Sequence, residues 1–139
     1  MKRRATAKPV VVHDLDQAAA ALAAAASLEV PVAVWSAPRT AIDAGVGWFS
    51  ALARLAREAE PRARAVFILD CGDRADLVQE AFRDGLAGAC FSGGPAAARR
   101  LADIARKSRA RLHRTRPTAL DLGAVADPAA ALREFLAAD

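Results

Sequence analysis

Residues 65–111 contain the most regular pattern of the chain, and they read AVFILDCGDRADLVQEAFRDGLAGACFSGGPAAARRLADIARKSRAR. Two apolar runs, 65–69 and 87–91, are each followed by a segment whose apolar residues recur at helical spacing. Apolar runs of this length that alternate with helical segments indicate buried parallel strands joined by helices. The stretch therefore predicts a β–α–β–α unit, in which the small and polar residues that come after both strands share one edge of the sheet.

Two more strands are predicted upstream of this unit. The valines at 10–12 begin the first strand, and residues 31–35 form the second, with Pro31 at its start where no ladder donor is lost. Asp14 followed by Gln17 is a capping-box pattern, and it predicts an alanine-rich helix to about Leu28. Trp48 and Phe49 open another helical pattern, and we expect both rings to pack in the core.

Local signals also mark helix ends and the C-terminal elements. Asp73 is expected to cap the helix after the third strand, and Gly85 to end that helix in a left-handed conformation. Residues 112–117 form a possible fifth edge strand, although few of them are apolar. Asp127 and Pro128 are a cap and a first-turn residue for a final helix that has to dock on the domain.

These elements predict an α/β fold, a single three-layer flavodoxin-like domain whose parallel sheet has four, possibly five, strands, with a C-terminal helix. The predicted boundaries are a flexible basic arm at 1–9, the α/β domain at 10–116 and a C-terminal extension with its docking helix at 117–139. The strand order stays open. A doubly wound order covers both faces with helices, whereas a simple consecutive order places every crossover helix on one face. The second face then needs the terminal helix or a second subunit, so we expect a homodimer.

Composition and charge exclude several classes of function. The 139 residues carry a net charge of +4, and eight of the Lys and Arg residues lie at 99–116 against one acid, Asp103. This run lacks interleaved aromatics and known nucleic-acid motifs, so nucleic-acid binding is not expected and a solvated helix face is preferred. No segment approaches the ~20 apolar residues that span a bilayer. With no secretion signal and two cysteines, we expect reduced thiols, a cytoplasmic location and no membrane contact.

Residues 10–107 resemble a response-regulator receiver domain, most closely in AVFILDCGDRADLVQEAFRDGLAGACFSGGP. Upstream, PVAVWSAP followed by GVGWFSALARLAREAEP is similar to the phosphoacceptor strand and its helix. The family's functional residues are not carried over. Ser36 stands at the phosphoacceptor position, Asp70 near that of the switch hydroxyl, and Gly94 where the family has lysine before Pro95. The resemblance implies a degenerate receiver-like fold that makes protein contacts and is not phosphorylated on aspartate.

Any ligand site is expected beyond the carboxyl ends of the parallel strands. Residues predicted on that rim are His13, Asp14, Asp16, Ser36, Arg39, Asp43, Asp70, Cys71, Asp73, Ser92, Gly93 and Gly94. The glycine turn that enters a helix could hold an anion, and this candidate anion site comprises Ser92, Gly93, Gly94, Arg39, Asp70 and Cys71. An ordinary tight turn explains the glycines equally well.

Two further site types are possible but not favoured by the sequence. The carboxylates with His13 include enough ligand atoms for a divalent metal, yet Asp14 and Asp73 are expected to serve as helix caps. Cys71 and His13 could form a thiolate–imidazole pair, but a cysteine at a strand end is more often a small buried residue. We therefore expect no metal, no cofactor and no catalytic residue.

The function expected from the sequence is a non-catalytic interaction or regulatory module that forms a homodimer and can contact another protein. The alternative is a binder of, or an enzyme acting on, a small phosphorylated molecule at the rim of the sheet.

Overall fold

The computed structural model describes residues 6–138, and these form one α/β domain around a single all-parallel sheet. Its elements in chain order are β1 (Lys8–Val12), α1 (Leu15–Leu28), β2 (Val32–Ser36), α2 (Thr40–Asp43), α3 (Val46–Ala59), β3 (Ala65–Asp70), α4 (Ala75–Arg83), β4 (Gly88–Cys90), α5 (Pro95–Lys107), β5 (Arg111–His113), β6 (Leu120–Asp121) and α6 (Pro128–Ala137). This confirms the predicted fold class. Within residues 6–138, no helix has both the length and the apolar character needed to cross a membrane.

The boundaries differ from the prediction at both ends of the sheet. Strand β1 begins at Lys8, so two residues of the predicted arm belong to the sheet, and residues 1–5 of that arm lie outside the described residues. The predicted edge strand at 112–117 is shorter and earlier, at Arg111–His113. Strand β6 was not predicted, and it pairs the C-terminal segment with β1.

The six strands lie in the order β5-β4-β3-β2-β1-β6. From β1 to β5 each strand lies beside the one before it, which is the consecutive order of the two that the sequence left open. Right-handed crossovers between such neighbours place all the connecting helices on the same face. Strand β6 does not continue this series beside β5 but pairs with β1 at the opposite edge, so β1 lies between β2 and β6.

The helices of the described chain pack on one face of the sheet, where they form the main core. The largest fully buried side chains of this core are Phe49, Phe67, Phe91, Leu22, Leu69, Leu101, Leu122 and Leu132. Helix α6 packs on α1, as the docking prediction required, and therefore lies on the helical side of the sheet. The terminal helix thus adds to a layer that already exists and does not cover the second face.

We call the opposite side of the sheet the open face; it carries Val11, Ala33, Trp35, Ile68 and Cys90, which form a smaller apolar cluster without any helical residue. Residues 114–119, the crossing segment, run across this face from β5 to β6, and Ala119 packs on the cluster. This segment is the third layer of the domain, and the helices of residues 6–138 all flank the other side of the sheet.

Most predicted helix ends are observed, and two expectations are wrong. The Asp14 side chain accepts a hydrogen bond from the Gln17 N–H at 2.8 Å, and Gly85 has a φ of 85° where α4 ends. Asp73 does not cap α4, which begins after Arg74 without a side-chain cap. Phe49 is buried as expected, but Trp48 is 43% exposed, because it lies on the outer side of α3.

Candidate functional site

The rim at the carboxyl ends of β2 and β3 is closed by an arginine from the crossing segment. Arg116 donates from Nη1 to Asp70 Oδ2 at 2.9 Å and from Nη2 to the Ser36 carbonyl at 2.8 Å. Its guanidinium carbon also lies 5.3 Å from the centroid of the Trp35 ring. The Ser36 hydroxyl accepts from the Asp70 N–H at 2.9 Å, so the two strand ends are joined by side chains as well as by the ladder.

A second arginine occupies the predicted glycine turn. Arg114 donates to the Phe91 carbonyl at 3.1 Å and to the Gly93 carbonyl at 2.8 Å, and it lies over the Phe91 ring. The Ser92 N–H is bonded to the Gly72 carbonyl at 2.8 Å. A Cβ atom at Gly93 would lie 2.3 Å from the Phe91 ring, so glycine is required there by packing. The close approach of Phe91 and Arg114 thus explains much of the predicted turn at Gly93 and Gly94.

The residues of the predicted anion site point in different directions. Asp70 alternates with Ile68 onto the open face, where it is 7% exposed and paired with Arg116. Cys71 lies in the helical core, and burial, with a smaller contribution from Asp70, raises the pKa of its thiol to about 12. Arg39 has a φ of 62° and lies against Gly72. Of the two glycines in this predicted site, only Gly94 has open space where a side chain would be.

His13, at the end of β1, contacts Asp121 at the end of β6 and not Cys71. The two side chains are joined at 2.6 Å between Nε2 and Oδ1, and Asp121 also accepts the Gly123 N–H at 2.9 Å. Burial raises the pKa of Asp121, but these hydrogen bonds outweigh it and leave that pKa lowered. No group of three or more potential metal ligands is clustered within residues 6–138, so Asp14, Asp16, Asp43 and Asp73 do not complete a metal site there.

The open face carries a groove of about 510 Å³ where the crossing segment leaves the sheet uncovered. We call it the sheet groove. Its lining is mainly apolar and consists of Thr6, Ala7, Pro9, Ala33, Trp35, Val66, Ile68, Ala87, Arg111, His113 and Pro117. Val66 is 41% exposed near the amino end of β3, although β3 is a central strand. The alternation of the strands thus places apolar side chains on a face that no helix of residues 6–138 covers.

Gly88 allows two rings to meet above the sheet at one end of the groove. Trp35 and His113 have ring centroids 4.9 Å apart in an edge-to-face arrangement, although β3 and β4 lie between their strands. A Cβ atom at Gly88 would lie 2.9 Å from Ile68 Cγ1 and 3.4 Å from His113 Nε2. Burial, and to a lesser degree Arg111, lowers the pKa of His113, so its ring is neutral at pH 7.

Sequence reasoning missed the residues that shape this region. The basic run was interpreted as a solvated helix face, and Arg106 and Lys107 do pair with Asp103 on the surface of α5. Arg114 and Arg116, however, turn inward to carbonyl and carboxylate oxygens. The sequence held one signal for these contacts. Arg114 and Arg116 are two residues apart just after a short strand, and Asp70 is a single acid at the end of a buried strand.

No protein-family model matches this chain, and no curated protein matches it in sequence. The features of this protein that bear on its function are the geometry of the rim and that of the open face.

Proposed function

We propose that this protein is a non-catalytic interaction module that pairs with a second copy of itself through the open face. The observation that supports this most directly is that the helices of residues 6–138 pack on the other face, while Val66 stays exposed on the central strand β3, near its amino end. Parallel sheets are normally covered on both faces, because their strands are apolar on both sides. The terminal helix, which could have covered the open face, packs on α1.

The shape of the open face suits an isologous contact. Val66 lines the sheet groove with an exposed side chain, and its register partner on β2 is the much smaller Ala33, which also lines the groove. In a two-fold pair the same patch faces itself, so Val66 of one protomer can enter the groove of the other beside Ala33. Among the described residues, Arg111 is the only one in the groove lining that is charged at pH 7, so little like-charge repulsion opposes this contact.

The filled rim favours an interaction module over an enzyme. Asp70 and Ser36 are held by Arg116, and Cys71 is buried, so the polar groups of the rim already bond to the chain itself. We extend the proposal to a regulatory, receiver-like module of the cytoplasm on the basis of the sequence resemblance. A flavodoxin-like relationship would rest on the βα alternation alone, since the doubly wound order 2-1-3-4-5 differs from the order here.

Sedimentation velocity over a wide range of protein concentrations tests the pairing. We expect a reversible dimer whose dissociation constant rises about tenfold or more in Val66→Lys, because a central apolar contact is lost and a charge is buried. Leu55→Lys is the matched control, since Leu55 is 40% exposed on the helical side. A monomer at every concentration, or an equal effect of both substitutions, would contradict the proposal.

The phosphorylated-ligand alternative keeps one supporting observation, the open space around Gly94 at the start of α5. Titration with inorganic phosphate, followed by amide shifts of residues 92–97, tests it. Binding that disappears in Gly94→Asp would support this alternative, and the absence of any shift in the unaltered protein would remove it.

A further inference from the structure

We propose that the sheet groove binds a small apolar carboxylic acid, with the hydrocarbon part over Ala33 and Ile68 and the carboxylate at Arg111 and His113. Neither the pairing of two copies nor the rim requires such a site. The inference goes beyond the proposed function, although both concern the open face.

The size and lining of the sheet groove fit a small molecule. Ligand pockets commonly measure about 300–1,000 Å³, with mostly apolar walls and a few polar groups that fix the orientation of the ligand. The groove measures about 510 Å³, and of its described lining only Thr6, Trp35, Arg111 and His113 carry polar side-chain atoms. An apolar body with one polar end is the shape that this lining accommodates.

The charge of the lining selects an acid over an amine. Arg111 is exposed at the N-terminal end of β5, and within residues 6–138 its guanidinium has no hydrogen-bond or ion-pair partner. No carboxylate from that part of the chain lines the groove. A guanidinium forms its strongest hydrogen bonds with a carboxylate, so the missing partner is of that chemical type.

Two ring systems offer further donors to the same end of the groove. The Trp35 side chain is only 3% exposed, and its indole N–H has no hydrogen-bond partner in the described part of the chain. Every fully buried side-chain nitrogen or oxygen there is partnered, so this N–H is not fully buried, and Trp35 is one of the residues that line the groove. The ring nitrogens of His113 likewise have no partner in the described part of the chain and are not fully buried, and His113 is two residues from Arg111 on the same side of β5.

A bound acid should also weaken self-association. Val66 of a second copy and the hydrocarbon part of the acid would occupy the same groove, so the acid would bind preferentially to the monomer. This regulatory consequence rests on the proposed function. The binding itself does not, because the groove is complete in one protomer.

Fluorescence and calorimetric titrations test the binding with two probes, 3-phenylpropionate and octanoate. The titrations use the full chain carrying Trp48→Phe, which leaves Trp35 as the single indole. We expect saturable binding of at least one probe with a change in Trp35 emission, and binding of 3-phenylpropanamide that is about tenfold weaker than that of the acid. Failure of both acids to bind, or equal affinity for acid and amide, would overturn the proposal.

Substitution of the cation locates the site. Arg111→Gln should weaken binding of the acid about tenfold and leave amide binding unchanged, because only the charged contact is lost. Arg100→Gln removes the same charge from the exposed side of α5 and should have no effect. Equal losses in both variants would show a general charge effect and overturn the assigned site.

Sedimentation in the same samples separates the two proposals. A protein that is a monomer at every concentration before any acid is added, and that then binds the acid through Arg111, would reject the proposed pairing and support the groove site. A dimer that binds neither acid, even at dilutions at which it dissociates into monomers, would do the reverse.

Discussion

Arg116 and Asp70 are 46 residues apart in the chain, yet they form the most buried ion pair of the described residues, with a guanidinium nitrogen 2.9 Å from a carboxylate oxygen. Asp70 ends a central strand, and Arg116 belongs to the segment that crosses the open face. The pair therefore fastens the crossing segment to the sheet. The same arginine covers the Trp35 ring, so it also forms part of the boundary of the sheet groove.

Arg116→Met should destabilise the protein by about 3 kcal/mol, because it leaves the Asp70 carboxylate buried without its counter-charge. Urea unfolding measures the effect. Asp70→Asn in the same chain should recover part of the loss, since an amide oxygen can still accept from the Gly72 N–H that Asp70 binds now. Arg74→Met, which breaks an exposed pair with Asp76, serves as the control and should leave the unfolding midpoint almost unchanged.

Gly88→Ala should destabilise the protein by about 1–3 kcal/mol, because the new methyl group would meet Ile68 and displace His113 from Trp35. Near-ultraviolet circular dichroism should report the loss of the ring contact. Gly94→Ala is the matched control, since nothing lies within 4 Å of its added Cβ and its φ is −65°. Equal stability of the two variants would show that the ring pair does not depend on the missing side chain.

Neither cysteine should react with iodoacetamide at pH 8 in the folded protein. Burial raises the pKa of Cys71 to about 12 and that of Cys90 to about 11, so roughly one Cys71 thiol in ten thousand is a thiolate at that pH. Mass spectrometry should find no adduct after an hour and two adducts in urea. Rapid labelling of Cys71 in the folded protein would contradict this prediction.

Stability should fall as the pH drops below about 6.5 because of His113. Its pKa is lowered in the folded state by burial and by Arg111, so the unfolded chain binds the proton more readily. The stabilisation is complete above the ordinary pKa of 6.5 and is lost as the pH falls towards the folded value. Ring-proton NMR should give a midpoint below 6.5, and His113→Gln should flatten the dependence of urea stability on pH between 7 and 5.

The sequence predicted the parts of the fold that depend on local pattern. Apolar runs such as the one ending at Leu69, the cap at Asp14 and the turn at Gly85 all reflect interactions within a few residues. Strand order depends on contacts between distant segments, so two orders stayed open. Strand β6 is two residues long, which is too short to produce any period.

The candidate sites were harder to predict because they depend on residues that come together from separate strands. Trp35 and His113 meet only because Gly88 leaves a gap between them, and no local signal contains that relationship. Arg114 and Arg116 looked like surface charge because their oxygen partners lie more than 20 residues away. Strand-end residues were placed correctly on one rim, but the sequence did not show that the chain fills that rim itself.

The consecutive order of strands has a consequence for biosynthesis. Each strand from β1 to β5 can join its neighbour as soon as it leaves the ribosome, since the pairings are short-range in sequence. Residues 114–119 emerge last of the segments that touch the open face, so a nascent chain displays Trp35 and Ile68 uncovered until β6 returns to β1. The step that covers this apolar surface therefore comes late in synthesis, and it is the step at which chaperones would matter most.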